Sequence, residues 1–239
     1  MSLKPHVAVV GAGIVGICSA YFLNKSGFQV TLIDKNDPGS MTSYGHACTF
    51  ADYACVPINS TNLFKDVPSM LMRSDGPLSI DFFYMIKNID WALRFLRNSS
   101  RNNVNKISEA LGNILKSASI SYDEIFSDVE VSNYIRNEEA IYLYKDEIAY
   151  LNAKRANAIR KKNGVETQIL SQNDVLDLEP NLAPVFHNGQ LFIGSRHTNN
   201  PSAISKKIFE SFINNGGIFK KQNVINITPE ETLVNLNYN

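Results

Sequence analysis

Val7-Ala8-Val9-Val10-Gly11-Ala12-Gly13-Ile14-Val15-Gly16 is the stretch on which the fold turns, and Ala20, Leu23, Gly27, Val30-Thr31-Leu32-Ile33 and Asp34 complete its pattern. Val7 to Val10 is a short continuous apolar run, the mark of a strand buried on both faces. Gly11, Gly13 and Gly16 follow at once and satisfy GxGxxG. The glycines do different things. The first permits a tight turn, the second lets the backbone approach a pyrophosphate, and the third lets the next helix pack closely on the sheet. The helix opened by this loop presents unpaired N–H groups and a positive dipole end to phosphates. Ala20 and Leu23 extend an inward helical face from Gly16, and Gly27 stands where a helix ends on a glycine. Val30 to Ile33 is a second buried strand ending at Asp34, 23 residues after Gly11, close to the spacing of an acid that accepts ribose hydroxyls. The expectation is a dinucleotide-binding βαβ unit.

The full spacing from Gly11 to Asp34, G-x-G-x-x-G-x-x-x-A-x-x-L-x-x-x-G-x-x-V-x-x-x-D, resembles the N-terminal fingerprint of FAD enzymes with the glutathione-reductase type of fold. The candidate cofactor-binding residues are then Val10, Gly11, Ala12, Gly13, Ile14, Val15 and Gly16 around the turn, with Asp34 and Lys35 at the end of the second strand. Lys35-Asn36-Asp37-Pro38-Gly39, followed by Thr42-Ser43-Tyr44-Gly45-His46-Ala47, resembles the D-amino acid oxidase superfamily of flavoproteins, most closely its D-amino acid dehydrogenases. In that family a Thr-Ser pair followed by Gly-Asn-Ala-Gly lines the flavin; here His46 replaces the Asn and Cys48 the final Gly. The resemblance therefore adds Thr42, Ser43, His46 and Ala47 to the cofactor site. The Ser43 hydroxyl would bond a phosphate or flavin atom, or the backbone of its own turn. Asp75 to Ile80, Trp91 to Leu96 and His197 to Pro201 carry the likeness along essentially the whole chain.

With 44% hydrophobic and 19% charged residues over 239 positions, the chain can bury a sizeable core, in one large domain or two modest ones. Its formal net charge of zero provides no electrostatic footprint for nucleic acid. Cys18, Cys48 and Cys55 form no CxxC pair and no disulfide ladder, which suits the cytoplasm. His46, Cys48 and Cys55 could be read as three zinc ligands, but the spacing lacks a CxxC clip, and no metal is expected. Val7 to Leu23 is apolar behind Lys4, as a signal peptide would be; the three ordered glycines and the missing small-residue cleavage site argue against that reading. No stretch reaches the roughly 20 apolar residues of a membrane span. Peripheral contact with the inner face of a membrane stays open.

Residues 1–56 read as the first segment of an FAD-binding domain, 57–195 as an inserted α+β substrate or cap domain, and 196–239 as the returning segment. Within the insertion, helices are expected at Val104–Phe126, Glu147–Lys162 and Asn173–Leu178, and strands at Ala140–Lys145, Val165–Leu170 and Gln190–Gly194. Afterwards come a helix at Pro201–Asn214, a strand at Ile218–Lys221 and a hairpin of Val224–Thr228 with Thr232–Asn237. The fold class is α/β: a doubly wound βαβ domain carrying an insertion, and incomplete at its C-terminus by comparison with the family's length.

The resemblance implies oxidative deamination of a D-amino acid to a 2-oxo acid and ammonia, with FAD as cofactor and a quinone or another acceptor taking the electrons. Substrate candidates are Tyr53, Tyr142 and His197, with Tyr144 and Arg196 as further shapers of a carboxylate pocket. His197 reads equally as a structural group ahead of an Asn200–Pro201 helix start. Two other readings stand beside this one: a non-catalytic remnant with an FAD-binding-like module, and a glycine- or sarcosine-type amine oxidase.

Overall fold

The computed structural model describes residues 5–59, 81–230 and 233–238, so Asp75 to Ile80 lies outside the described residues. In chain order the elements are β1 (His6–Val10), α1 (Ile14–Lys25), β2 (Gln29–Asp34), β3 (Thr49–Phe50), α2 (Phe82–Lys87), α3 (Ile89–Asn98), α4 (Arg101–Asp128), β4 (Ile135–Arg136) and β5 (Ala140–Tyr144). There follow α5 (Glu147–Lys162), β6 (Thr167–Ser171), α6 (Gln172–Leu178), β7 (Asn188–Phe192), β8 (Arg196–Thr198), α7 (Pro201–Asn214), β9 (Ile218–Lys221), β10 (Val224–Pro229) and β11 (Val234–Tyr238). The chain divides into two compact units.

The first unit gathers Met1–Phe50, Ser121–Arg136 and His197–Asn239. Its main sheet has the order β1-β2-β9, with β2 parallel to both neighbours. Parallel strands need crossovers, and α1 and α7 supply them. Val30 and Leu32 of β2 share one core with Ile17 and Ala20 of α1 and Ile204, Ile208 and Phe212 of α7. Phe212 and Leu32 are fully buried, and each such side chain contributes about 2–3 kcal/mol through area removed from water. Ile125, Val129 and Val131 join the same core. For that reason Ser121–Arg136, which the sequence pattern places in the insertion, gathers with the first unit.

Strand β2 is buried along almost its whole length, as the apolar run predicts. Strand β1 departs from expectation: Val9 packs on the core, but Ala8 and Val10 are exposed. The reason is position. Among the described residues β1 is an edge strand, and the sheet face opposite α1 borders a cavity of about 650 Å³ between Ala8, Val10 and Ile33 and the β10–β11 hairpin residues Ile227 and Leu236.

The second unit comprises Ala51–Ile120 and Asn137–Arg196. Here β7 is the middle strand of an antiparallel sheet of order β5-β7-β6. Leu170, Val175 and Phe186 form its small core. β7 begins two residues earlier than its sequence pattern suggests, because Asn188 and Gly189 pair with Tyr144 and Leu143, while Gly194 leaves the sheet at φ +75°. The expected helices are present at Glu147–Lys162, where Asp146 caps through Ala149 N–H, and at Gln172–Leu178, where Ser171 and Asp174 form a reciprocal capping box.

One polar cluster ties α1 to the C-terminal end of α4. The Tyr21 hydroxyl donates to Asp128 Oδ2 at 2.6 Å, and Lys25 Nζ lies 2.5 Å from the same oxygen and 2.8 Å from Glu124 Oε1. Burial first, and then the bond to Asp128, push the Tyr21 hydroxyl up to about 12. A raised value means that the neutral form is the stabilising one: the contribution is complete below the ordinary 10.0 and is lost as pH rises through about 12. Tyr21→Phe should lower Tm by roughly 2–4 °C at neutral pH. Thermal melts in steps of pH should show the gap between wild type and variant closing above the ordinary tyrosine range; a gap independent of pH would disprove the assignment.

Candidate functional site

The glycine loop leaves β1 through Gly11, whose φ of +105° is a conformation that side-chain-bearing residues rarely adopt. The Gly11 N–H donates to Ile33 O at 2.8 Å, which registers the loop against the end of β2. Gly13 is the N-cap of α1 and has no side chain to cap with. A Cβ placed on Gly16 would stand 1.7 Å from the Gly11 carbonyl oxygen, so the first turn of α1 sits directly on the loop. This is the close approach that the sequence spacing predicts for the third glycine.

Three clamps hold the loop. The Ile14 N–H, first in α1, donates to Ser43 Oγ at 2.8 Å. The Ala12 N–H donates to Asp34 Oδ2 at 2.7 Å, and the other carboxylate oxygen accepts from Asn36 N–H at 2.8 Å. The Gly39 N–H donates to Ala12 O at 2.8 Å, with Gly39 at φ +70° and room for no Cβ against Ser205 of α7. Ser43 thus serves the terminus of α1, whereas the sequence pattern offers a ligand atom or its own turn. As acceptor from Ile14 it keeps its own proton available to a phosphate oxygen. Ile17 N–H makes the first intrahelical bond, to Gly13 O. Helix geometry therefore leaves Val15 and Gly16 N–H without an intrahelical acceptor at the positive end of the dipole.

A cavity of about 590 Å³ opens at this terminus. Val10, Gly11, Gly13, Ile14, Val15 and Gly16 line one side, and Thr42, Ser43 and His46 line another. Ala12 is buried and acts through its N–H and carbonyl. Lys35 and Ala47 are exposed and do not line the cavity. Val9 and Ser19 do line it, and the sequence pattern does not single them out. Nor does it single out Gly39 as a clamp, although Asp37-Pro38-Gly39 carries a turn signature. A carboxylate at the end of β2, glycines where a Cβ would intrude and a helix N-terminus aimed at a cavity fit the ADP portion of a dinucleotide.

Past Ser43 the backbone is strained. Cys48 has φ +64°, the left-handed region, at the position where the resembling family has glycine. It is held there by its own N–H donating to His46 Nδ1 at 3.2 Å and by its carbonyl accepting from Thr198 N–H at 2.7 Å. Cys48 is half-buried rather than a buried apolar residue, unlike Cys55, whose thiol burial pushes up in value. Cys18 in α1 is likewise pushed up by burial, to about 11, and is inert at neutral pH.

The substrate candidates separate between the units. Tyr53 and Tyr142 belong to the second, where Tyr53 is buried and stacks on Phe192 at 4.2 Å between ring centroids. Tyr142 meets the same Phe192 edge-on at 4.6 Å, and the Arg160 guanidinium lies 5.5 Å from the Tyr142 ring and 5.4 Å from that of Phe192. The Tyr144 hydroxyl donates to Gln190 Oε1 at 2.5 Å. Burial raises the Asp52 carboxyl above its ordinary range, and the charge of Arg196 opposes the shift. Arg160 and Phe192 had no sequence signal, since neither belongs to a motif. His197, in contrast, is in the first unit, on β8 opposite Arg136, and Asn200 with Pro201 opens α7 as the N-cap and first helical residue.

Two substitutions test the loop. Gly16→Ala should cost about 3 kcal/mol or more, because the obstructing atom is backbone and cannot rotate away. A urea melt checks it, and a loss under about 1 kcal/mol would mean that α1 does not sit where described. At position 48, Cys48→Gly should leave stability unchanged or raise it, while Cys48→Val should cost about 1–2 kcal/mol by forcing a β-branched residue into the left-handed region. Equal melts for the two variants would remove the strain argument.

Residues 6–236 match the family described as "DAO: FAD dependent oxidoreductase". The chain is 29% identical over 201 residues to a D-amino-acid oxidase of Bradyrhizobium diazoefficiens, covering 83% of this chain and 48% of that protein. It is 28% identical over 180 residues to D-amino acid dehydrogenase 2 of Ralstonia nicotianae, covering 74% and 42% respectively. The chain therefore spans less than half the length of these relatives. In fold it is similar to the L-alpha-glycerophosphate oxidase of Mycoplasma pneumoniae, with a TM-score of 0.63, 16% identity and coverage of 100% of this chain and 50% of that one. The glycine oxidase of Geobacillus kaustophilus is similar with a TM-score of 0.60, 15% identity and coverage of 98% and 52%. A family match over almost the full chain, on a fold whose glycine loop, helix terminus and strand-end acid are built for a dinucleotide, means that this chain belongs to the DAO family of FAD dependent oxidoreductases.

Proposed function

We propose that the chain contributes the nucleotide-binding part of an FAD-dependent oxidoreductase of the D-amino acid dehydrogenase type, which converts D-amino acids to 2-oxo acids and ammonia. The observation that carries this reading is the loop in which Gly11, Gly13 and Gly16 set the α1 terminus beside Ser43 and Asp34. The likeness to a D-amino-acid oxidase and a D-amino acid dehydrogenase supports the substrate class.

In this reading the Val15 and Gly16 N–H groups and the dipole of α1 would receive the pyrophosphate, and the Ser43 hydroxyl would donate a hydrogen bond to one phosphate oxygen. Asp34 keeps lone pairs for ribose hydroxyls while its carboxylate holds Ala12 and Asn36 in place. Thr42 and His46 edge the same cavity and, by the family resemblance, would line the flavin. FAD, when bound, supplies the two-electron acceptor that oxidation of an amine requires. A quinone or comparable acceptor would then reoxidise it, and Tyr53, Tyr142 and His197 remain the candidates for substrate contact.

Thermal shift separates the parts of this proposal. ADP and FAD should both raise Tm, and riboflavin should raise it far less, because the hydrogen-bonding contacts assigned above to Val15, Gly16, Ser43 and Asp34 go to the ADP portion. Stabilisation by riboflavin alone would overturn the site. For turnover, dye reduction should be compared with D-alanine, D-proline, L-alanine, glycine and sarcosine. Because it spans less than half the length of its relatives, the 239-residue chain alone should show no measurable rate. A yellow, stoichiometrically loaded preparation reducing dye with D-alanine would establish a self-sufficient enzyme, and reduction by sarcosine or glycine instead would reassign the substrate.

A further inference from the structure

Helix α5 becomes basic toward its C-terminal end: Lys154, Arg155, Arg160, Lys161 and Lys162 occur there without an acid among them. Arg160 is half-buried, and its guanidinium lies over the Tyr142 and Phe192 rings at 5.5 and 5.4 Å from their centroids. A cation held against rings and partly out of water needs a counter-charge to offset its lost hydration. The second unit supplies none. Among the described residues no carboxylate forms an ion pair with Arg160. Asp52, beside Tyr53, feels the charge of Arg196 instead.

The hydrogen bonds that start at Arg160 run inward. Its Nη1 donates to Asn157 Oδ1 at 2.8 Å, Asn157 Nδ2 donates to the Tyr144 hydroxyl at 3.2 Å, and that hydroxyl donates to Gln190 Oε1 at 2.5 Å. Both ends of this relay leave a donor unmet: Arg160 Nε and Gln190 Nε2 are buried and have no acceptor. Gln190 is only 1% exposed. Buried N–H groups are nearly always satisfied, and an acceptor brought by a ligand would remove the cost of these two. Asn188 Oδ1, also buried without a partner, is an acceptor and takes no part in holding an anion.

These groups share one side of one sheet. Gln190 and Phe192 alternate on β7 with Gly189, which faces Val175 on the other side, and Tyr142 pairs with Gln190 across the ladder. Because Nη1 is committed to Asn157, the Nε–Nη2 edge of the guanidinium is the one left for a ligand. That edge matches the two coplanar oxygens of a carboxylate. Tyr142 and Phe192 offer apolar surface to the rest of the molecule, and Tyr142, 40% exposed, is the open edge of the cluster. Apolar walls with a few placed polar groups are how small-molecule sites are built.

We infer that Arg160, with Gln190 behind it and Tyr142 and Phe192 as walls, is a binding site of the second unit for a small monocarboxylate. It stands independently of the flavin reading, since none of these residues belongs to the first unit.

Propionate and benzoate are titrated into the whole chain, with propionamide and benzamide as their neutral counterparts, and the arginine Nε–H signals are followed by heteronuclear NMR. One signal, absent from Arg160→Lys, should move downfield with either acid and stay in place with either amide. The acids should bind about tenfold more tightly than the amides, and Arg160→Lys, which keeps the charge but loses the fork, should remove most of that difference. Gln190→Leu should weaken the acids several-fold while the downfield shift persists, and Arg101→Gln, elsewhere on the same unit, should change nothing. Saturating ADP should leave the affinity for the acids as it is. An Arg160 signal that neither acid moves overturns the inference, as does equal binding of acid and amide. Competition by ADP overturns it too, because the acid would then be held at the α1 terminus. The measurement uses neither cofactor nor turnover, so failure of the flavin reading cannot imitate any of these results.

Discussion

The first unit depends on a contact that only glycine permits. With a Cβ position on Gly16 lying 1.7 Å from the Gly11 carbonyl, α1 begins on top of the loop that leaves β1. From that closeness follow the direction of α1 across the sheet, its packing on Val30 and Leu32, and the placement of its N-terminus at the cavity. A helix end carries unpaired donors and partial positive charge, and setting it at the rim of a parallel sheet creates anion affinity without a basic side chain. Of the three clamps, Ser43, Asp34 and Gly39, only Asp34 belongs to the βαβ unit itself. The turn after β2 thus stabilises the loop as much as the motif does.

Strain and burial are distributed differently between the units. In the first, one left-handed non-glycine residue among those described, Cys48, occurs next to the cavity, fixed by His46 on one side and the β8 backbone on the other. A residue forced into a poorly populated conformation is held by its surroundings, and it marks a segment whose path matters more than its local energy. In the second unit the notable feature is aromatic: Tyr53, Tyr142 and Phe192 form a contiguous ring cluster, with the Arg160 guanidinium over two of the rings. Rings packed at these angles gain from quadrupole alignment and from the cation beyond the area they bury. That cluster makes Tyr53 first of all a core residue, whatever else Tyr142 does at its more open edge.

Legibility from sequence followed locality. The glycine spacing, Asp34 at the strand end, the helices Glu147–Lys162 and Pro201–Asn214, and the Asn200–Pro201 start are decided by contacts within a few residues or within one βαβ unit, and they stand where the pattern placed them. The start of β7 shifted because a strand's limits are set by its partners: Asn188 pairs with both Tyr144 and Ser171, neither of which is near in sequence. The exposure of β1 was not legible either, because a run such as Val7 to Val10 says only that burial is favourable and not which neighbours supply it.

By itself, then, the amino-acid sequence determined the parallel βαβ unit, its glycine loop, the acid at the end of β2 and the kinship with FAD dependent oxidoreductases, because each rests on residue types whose backbone freedom or chemistry is specific at short range. Only the tertiary structure decided that Ser43 serves the first N–H of α1 across 29 residues, that Gly39 closes on Ala12, that Ser121–Arg136 gathers with the first core, and that Trp91 faces outward from an unburied helix. Those outcomes depend on which distant segments arrive beside each residue, and a hydroxyl, a turn or an apolar stripe reads the same in sequence whether a partner arrives or not.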